Sequence, residues 1–124
     1  MTERQFLTGV IVDAAMKVHT ALGPGLLEGA YQVCLAHELR RRGIQVETQV
    51  ALPVIYETTR IDVGYRLDLL VDGCVVVELK SVSKLQPVHE AQLLSYLKLG
   101  HYPVGLLINF NVARLKDGIR RFVK

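Results

Sequence analysis

The sequence predicts a mixed α/β (α+β) fold, in which a mixed central sheet is flanked by helices. Apolar residues recur at helical spacing in three segments and follow strand patterns in five others, in the order α-α-β-β-β-α-β-β. Three consecutive strands followed by a helix and another strand predict a meander extended by a crossover. The length of 124 residues, half of them hydrophobic, fits a single domain spanning residues 1–124.

Two helices are expected at the start of the chain. Thr2 and Gln5 stand at capping-box spacing, and the helix that they begin should end within residues 22–25, where Gly and Pro alternate. A second helix is predicted over residues 27–42. We expect its apolar stripe to bury Leu27, Tyr31, Cys34, Leu35 and Leu39.

The period of the pattern changes to two at Ile44, which predicts a strand that continues toward Tyr56. Pro53 lacks an N–H, so this strand should lie at a sheet edge or break there, and polar residues 57–60 should form a turn. The remaining predicted elements are strands over 63–71 and 74–80 around Asp72-Gly73, a helix from Pro87 to Gly100, and strands over 103–110 and 118–123.

Charged residues interrupt the two strands of the predicted central hairpin. Asp68 lies in the first strand, and Glu78 and Lys80 share one face of the second. A buried carboxylate needs a compensating partner. The sequence leaves two compensating partners open. One is an ion-pair ladder with Arg66 and Lys80. The other is a divalent cation such as Mg²⁺ held by Asp68 and Glu78, since Mg²⁺ prefers oxygen ligands.

The hairpin turn decides whether the two acids can meet. A two-residue turn at Asp72-Gly73 would pair Asp68 with Val77, so that Glu78 would point to the opposite face. A three-residue loop, or a bulge at Gly73, places both carboxylates on one side. We predict this second register, because Gly73 readily adopts the positive φ that a bulge requires.

Further polar side chains occur on two of the helices. His89, Gln92 and Tyr96 form one stripe of the third helix, and Glu28 lies in the first turn of the second. Each also has an ordinary explanation, since Gln92 and Tyr96 could be helix surface and a carboxylate is favoured at a helix N-terminus.

The chain resembles a known family at this point. Residues 25–31, GLLEGAY, match the GxxExxY signature of a group of small bacterial proteins within the PD-(D/E)XK nuclease-like superfamily. The resemblance extends from about Phe6 to Val123 and includes the motifs GYRLDLLV, VVVELKSV, HEAQLLSYL and INFN. It implies a restriction-endonuclease-like αβββαβ core with an extra N-terminal helix.

The resemblance also implies roles for individual residues. Asp68 resembles the metal-binding aspartate of the superfamily, and Glu78 and Lys80 resemble its E-x-K element. Glu28 resembles the helix glutamate that completes the metal shell, directly or through water. The carbonyl of Leu79 is a further candidate ligand, because Mg²⁺ also accepts carbonyl oxygens.

Substrate contacts are expected from the third helix. Gln92 and Tyr96 resemble the Q-x-x-x-Y element of the exonuclease-type branch, which would hold the substrate backbone or a base edge. Arg66 shares the face of Asp68 by strand alternation and is a candidate for phosphate contact. Leu67 stands where the superfamily pattern has Pro, a position that contributes no ligand.

The resulting hypothesis is a Mg²⁺- or Mn²⁺-dependent nuclease that hydrolyses phosphodiester bonds, with Asp68, Glu78, Lys80 and Glu28 as its catalytic residues. The alternative is a non-catalytic module that binds nucleic acid or protein, which the modest net charge of +3 favours. The expected partner is nucleic acid, DNA in the first place, and a homodimer could form through residues 103–110 or the first helix.

Composition also bears on the compartment. Two cysteines are too few for a disulfide scaffold, and residues 1–16 lack the layout of a secretion signal. No apolar run approaches the ~18 residues of a membrane helix. We therefore expect a cytoplasmic protein without membrane contact.

Overall fold

The computed structural model describes residues 2–124 and has the predicted α+β architecture, consistent with a restriction-endonuclease-like fold. Within these residues, three helices and a short 3₁₀ helix (Leu115–Gly118) accompany seven strands. The helices are α1 (Glu3–Leu22), α2 (Glu28–Arg41) and α3 (Pro87–Gly100). The strands are β1 (Val46–Ala51), β2 (Val54–Tyr56), β3 (Thr59–Ile61), β4 (Arg66–Val71), β5 (Val75–Lys80), β6 (Val104–Asn109) and β7 (Ile119–Val123).

The central sheet has five strands in the order β1-β4-β5-β6-β7. Neighbouring strands are antiparallel except for β5 and β6, which α3 connects as a parallel crossover. The predicted meander followed by a crossover is therefore confirmed. Strand β1 lies at an edge of this sheet, as the proline after it suggested.

Two apolar clusters cover the two faces of the sheet. The larger cluster joins α1 and α2 to β5 through Val75, Val77 and Leu79, and the smaller joins α3 to Val76 and Leu107. Because side chains alternate along a strand, the residues of β5 that follow Val76 on its face point toward α3. The site described below lies on this side of the sheet.

The connection between α1 and α2 is fixed by one buried tyrosine. The hydroxyl of Tyr31 donates a hydrogen bond to the carbonyl oxygen of Gly23 (2.6 Å) and accepts one from the N–H of Leu26 (3.1 Å). Its ring stacks on Phe110 with the ring centroids 4.4 Å apart. Tyr31 therefore fixes the position at which α2 begins, and with it the position of Glu28.

Two expectations about α2 need correction. Leu27 is not buried but 85% exposed, because it is the N-cap residue and precedes the helical turn that faces the core. Cys34 is only partly buried at the edge of the larger cluster. The other three residues of the stripe, Tyr31, Leu35 and Leu39, are fully buried as predicted.

The single strand predicted from Ile44 toward Tyr56 is wrong. Strand β1 ends at Ala51, and β2 pairs with β3 in a separate small hairpin, so Thr59 and Arg60 belong to a strand and not to a turn. The two-residue turn of this hairpin has Glu57 at φ 56°. Glycine or asparagine normally signals such a turn, and neither occurs here.

Strand β6 does not offer a dimer interface. All six of its residues are buried, and it pairs with β5 on one side and β7 on the other. The expectation that residues 103–110 could contact a second copy is therefore wrong, because the chain itself covers both faces and both edges of this strand.

Candidate active site

Strands β4 and β5 pair in the register that places Asp68 and Glu78 on the same face of the sheet. Leu69 pairs with Val77 and Val71 with Val75, so that a three-residue loop joins the strands. Asp72 and Gly73 in this loop both have positive φ, 49° and 67°. The same register places Asp68 opposite Glu78, and the predicted three-residue loop is confirmed.

The two carboxylates occupy a gap where β4 and β5 part. The N–H of Asp68 donates to Glu78 Oε2 (2.7 Å), and the N–H of Leu79 donates to Asp68 Oδ2 (2.8 Å). Side-chain oxygens thus replace the backbone acceptors of a regular ladder. In an extended strand the N–H and C=O of one residue point the same way, so the Leu79 carbonyl also faces this gap.

Among the titratable residues of the candidate site, Glu78 has the most strongly shifted pKa. Its residue is only 4% exposed. Burial, reinforced by the charge of Asp68, raises the pKa of Glu78 to about 8, against the smaller opposing effects of the Asp68 N–H and of Lys80. In the metal-free protein at neutral pH, Glu78 therefore holds a proton.

The ion-pair ladder considered from the sequence does not form. Within residues 2–124, no salt bridge joins Asp68 or Glu78 to Arg66 or Lys80. Arg66 is exposed, and its guanidinium donates to the carbonyl of Tyr65 (3.3 Å). The structure does not bring Arg66 into contact with the two acids.

Lys80 and the third helix complete one side of the site. Lys80 Nζ donates to Gln92 Oε1 (3.4 Å), which links the end of β5 to α3. Tyr96 follows Gln92 by about one helical turn and is buried. Burial, and next to it the charge of Glu78, raises the pKa of the Tyr96 hydroxyl.

His89, in contrast, does not take part in the site. Its ring nitrogen accepts a hydrogen bond from the N–H of Gln86 (2.9 Å) at the start of α3 and caps this helix.

Glu28 lies near the two acids without joining them. It is exposed in the first turn of α2, and its charge contributes to raising the pKa of Glu78. The hydroxyl of Ser81 donates a hydrogen bond to the carbonyl of Leu26. This bond connects the loop before α2 to the residue that follows β5. Across the described part of the chain, no three His, Cys, Asp or Glu side chains are grouped closely enough to hold a metal ion.

One of three comparisons with known proteins identifies the family of this chain. A family model described as the PD-(D/E)XK nuclease superfamily matches residues 5–122. The chain belongs to the PD-(D/E)XK nuclease superfamily. Searches among curated proteins and among solved structures found no match. Within residues 2–124, every helix is too short or too polar to cross a membrane.

PD-(D/E)XK nucleases typically use divalent metal ions. The oxygen donors at the gap are of the type that such an ion prefers. Asp68 and Glu78 would supply carboxylate oxygens, and Leu79 would supply a carbonyl oxygen. Mg²⁺ is commonly bound by only one or two carboxylates and keeps several waters, so a third acidic side chain in contact is not required. Burial, and next to it the charge of Asp68, raises the pKa of Glu78, and a cation in the gap would favour its ionised form.

The structure also places Gln49 beside the candidate site. Gln49 lies on β1 opposite Asp68, with a positive φ of 51°, and its Nε2 contacts Gln32 Oε1 (2.6 Å) and Asp68 Oδ1 (3.5 Å). It therefore connects α2 to the free oxygen of Asp68. No local pattern distinguishes Gln49, because it is one of several polar residues that alternate along β1.

A second residue that the sequence analysis did not single out is Asn109. It is buried at the end of β6, where its Oδ1 accepts from the N–H groups of Val82 (3.1 Å) and Asn111 (3.2 Å), and its Nδ2 donates to the Val82 carbonyl (2.9 Å). These bonds fix the chain just after Lys80. The signal was present, since Asn109 is a polar residue within an apolar strand.

Proposed function

We propose that the protein is a Mg²⁺- or Mn²⁺-dependent nuclease that hydrolyses phosphodiester bonds, with DNA as its first expected substrate. The observation that carries this proposal is the pair of carboxylates, Asp68 and Glu78, held in one gap beside Lys80. Neither acid is neutralised by an ion pair within residues 2–124. Burying a carboxyl group such as that of Glu78 without a cationic partner is costly for stability, which favours a function for this pair.

Three groups would hold the ion: the carboxylates of Asp68 and Glu78 and the carbonyl of Leu79. Glu28 would act from the first turn of α2, through a water. A bound divalent ion supplies a water of lowered pKa and offsets negative charge that develops on the phosphate during hydrolysis. Glu78 must release its proton before it can bind the ion.

Lys80 would act on the attacking water or on the phosphate. Its Nζ contacts Gln92, which limits where the ammonium group can point. From this position the ammonium can orient a water or offset charge on a phosphate oxygen. Gln92 and Tyr96 would contact the substrate. Arg66 remains a candidate for an outer phosphate, since its guanidinium is exposed.

We also propose that the protein belongs to the GxxExxY group, with one nuclease-like domain over residues 1–124. The hydrogen bonds of Tyr31 support this, because they give the last residue of the signature a role in positioning Glu28. Cys34 and Cys74 are unpaired, which fits a cytoplasmic location. A homodimer would use α1, where Phe6 is exposed.

The test is cleavage of single-stranded, duplex and branched DNA, and of RNA, with and without Mg²⁺. We expect cleavage that requires the metal and falls at least a hundredfold in Asp68→Asn and Lys80→Ala. Asp72→Asn is the matched control, because Asp72 lies on the same hairpin outside the site. Equal cleavage by wild type and Lys80→Ala would indicate a contaminant and contradict the proposal.

The second candidate is a non-catalytic binding module on the same fold. The observation in its favour is that the described residues contain no group of three acidic, histidine or cysteine ligands. A Mg²⁺ titration followed by thermal unfolding separates the two functions. Stabilisation that Asp68→Asn abolishes supports the nuclease, and no response at millimolar Mg²⁺ supports the binding module.

A further inference from the structure

A cavity of about 330 Å³ opens beside the candidate site, on the α3 side of the sheet. The small β2–β3 hairpin, the segment before β4 and helix α3 contribute its walls. Six residues line it: Val54, Tyr65, Gln92, Ser95, Tyr96 and Leu99. None of these side chains carries a formal charge at neutral pH, so the cavity suits a neutral, flat group better than a phosphate.

Two tyrosines give the cavity an aromatic wall. The rings of Tyr65 and Tyr96 lie with their centroids 5.8 Å apart and their planes tilted by 48°. Tyr96 is buried, whereas Tyr65 is 44% exposed and keeps part of its ring available. Exposed aromatic rings are the usual stacking platforms for unpaired bases in proteins that bind single strands.

The cavity also offers polar groups and a direct link to the candidate site. The amide of Gln92 and the hydroxyl of Ser95 can donate to and accept from the edge of a base. Gln92 contacts Lys80 Nζ as well (3.4 Å), so it borders both the cavity and the end of β5. A strand whose phosphate reached Lys80 would therefore have a neighbouring base within reach of this cavity.

We propose that this cavity binds one unpaired nucleobase, and that the substrate is consequently a single strand or an unpaired end. The inference rests on the proposed nuclease function. A base in a duplex is stacked and paired, and it must leave the helix to enter a pocket of this kind. Single-stranded substrates avoid this cost and should be preferred.

The test measures binding of labelled oligonucleotides by fluorescence anisotropy, with Ca²⁺ in place of Mg²⁺ because both take oxygen ligands. Three probes are compared: a single strand, a blunt hairpin duplex, and an abasic strand of equal length that keeps the phosphates but lacks the bases. We expect the single strand to bind at least about tenfold more tightly than the other two.

Variants of the cavity then show whether it recognises the base. Tyr65→Ala should weaken binding of the single strand about 5- to 100-fold and leave the abasic strand unchanged, whereas Tyr65→Phe keeps the stacking surface and most of the affinity. Ser95→Phe fills the cavity and should have the same effect as Tyr65→Ala. Tyr56→Ala is the matched control, because Tyr56 is exposed on the same small hairpin and does not line the cavity.

The outcomes separate this inference from the proposed function. If wild type cleaves DNA and Tyr65→Ala and Ser95→Phe bind all three probes as wild type does, the cavity is not a base site, while the nuclease proposal stands. If wild type cleaves nothing but its binding of single strands depends on Tyr65, the base site is supported and the nuclease proposal falls. If no probe binds, the base site is overturned, and the cleavage assay alone decides the nuclease proposal.

Discussion

Asp68 and Glu78 face each other where β4 and β5 part, and each carboxylate accepts a hydrogen bond from the backbone of the opposite strand. These two bonds fix both side chains in the gap without neutralising them. Burial of Glu78, and next to it the charge of Asp68, disfavours the ionised form of Glu78 in the metal-free site. A divalent cation in the gap would favour the ionised form of Glu78.

The metal-free protein should lose stability as the pH rises from about 4.5 to about 8. The pKa of Glu78 is about 8 in the folded protein and 4.5 as the ordinary value, so in this range the folded state binds more protons than the unfolded state. The contribution is fully favourable below pH 4.5 and is lost as the pH rises through about 8, an effect of about 5 kcal/mol at most.

Urea unfolding in EDTA at pH 5, 7 and 9 measures this effect. Glu78→Gln cannot ionise, so its free energy of unfolding should fall less between pH 5 and 9 than that of wild type. Other titrating groups affect both proteins alike, and the difference between them isolates Glu78. Parallel pH profiles for the two proteins would show that Glu78 ionises normally.

The affinity for Mg²⁺ should rise with pH up to about 8. Glu78 holds a proton in the metal-free site, and binding must displace it, so affinity increases as the proton is lost. Below pH 8 the increase should approach tenfold per pH unit. The shift of the unfolding midpoint at fixed Mg²⁺, measured between pH 6 and 8.5, reports it. A shift that is independent of pH would place the ion away from Glu78.

Tyr31→Phe should destabilise the protein by about 1–3 kcal/mol, because it removes the buried partner of the Gly23 carbonyl and the Leu26 N–H. The ring and its stacking on Phe110 are retained, so the loss isolates the hydroxyl. Urea unfolding at pH 7 is the measurement, with Tyr56→Phe at an exposed position as the control. A change below about 0.5 kcal/mol would mean that water replaces the hydroxyl without cost.

Elements with local signals could be predicted from the sequence. Helix α3 has the predicted bounds, because Pro87 favours the first turn of a helix and Gly100 ends the apolar periodicity. The meeting of Asp68 and Glu78 was also predictable, since strand alternation leaves only two registers and Gly73 favours one of them. In both cases residues close in sequence decide the outcome.

Features that depend on tertiary contacts could not be predicted. The β2–β3 hairpin turns at Glu57, which adopts a positive φ although it is not a glycine. The sequence therefore has no glycine that would indicate this turn. Gln49 reaches Asp68 because β1 pairs with β4, a contact between distant segments. Strand alternation predicts that Arg66 lies on the same face as Asp68. The guanidinium of Arg66, however, donates a hydrogen bond to the carbonyl of Tyr65, and strand alternation does not determine this side-chain conformation.

The most direct test of the central claim is calorimetric titration of Mn²⁺ into the metal-free protein at pH 8. Wild type and Asp72→Asn should each show a specific binding isotherm, and Asp68→Asn should show affinity lowered at least tenfold. The account predicts this loss because Asp68 and Glu78 hold the ion together. An Asp68→Asn isotherm equal to that of wild type, or no binding by wild type at millimolar Mn²⁺, would contradict it.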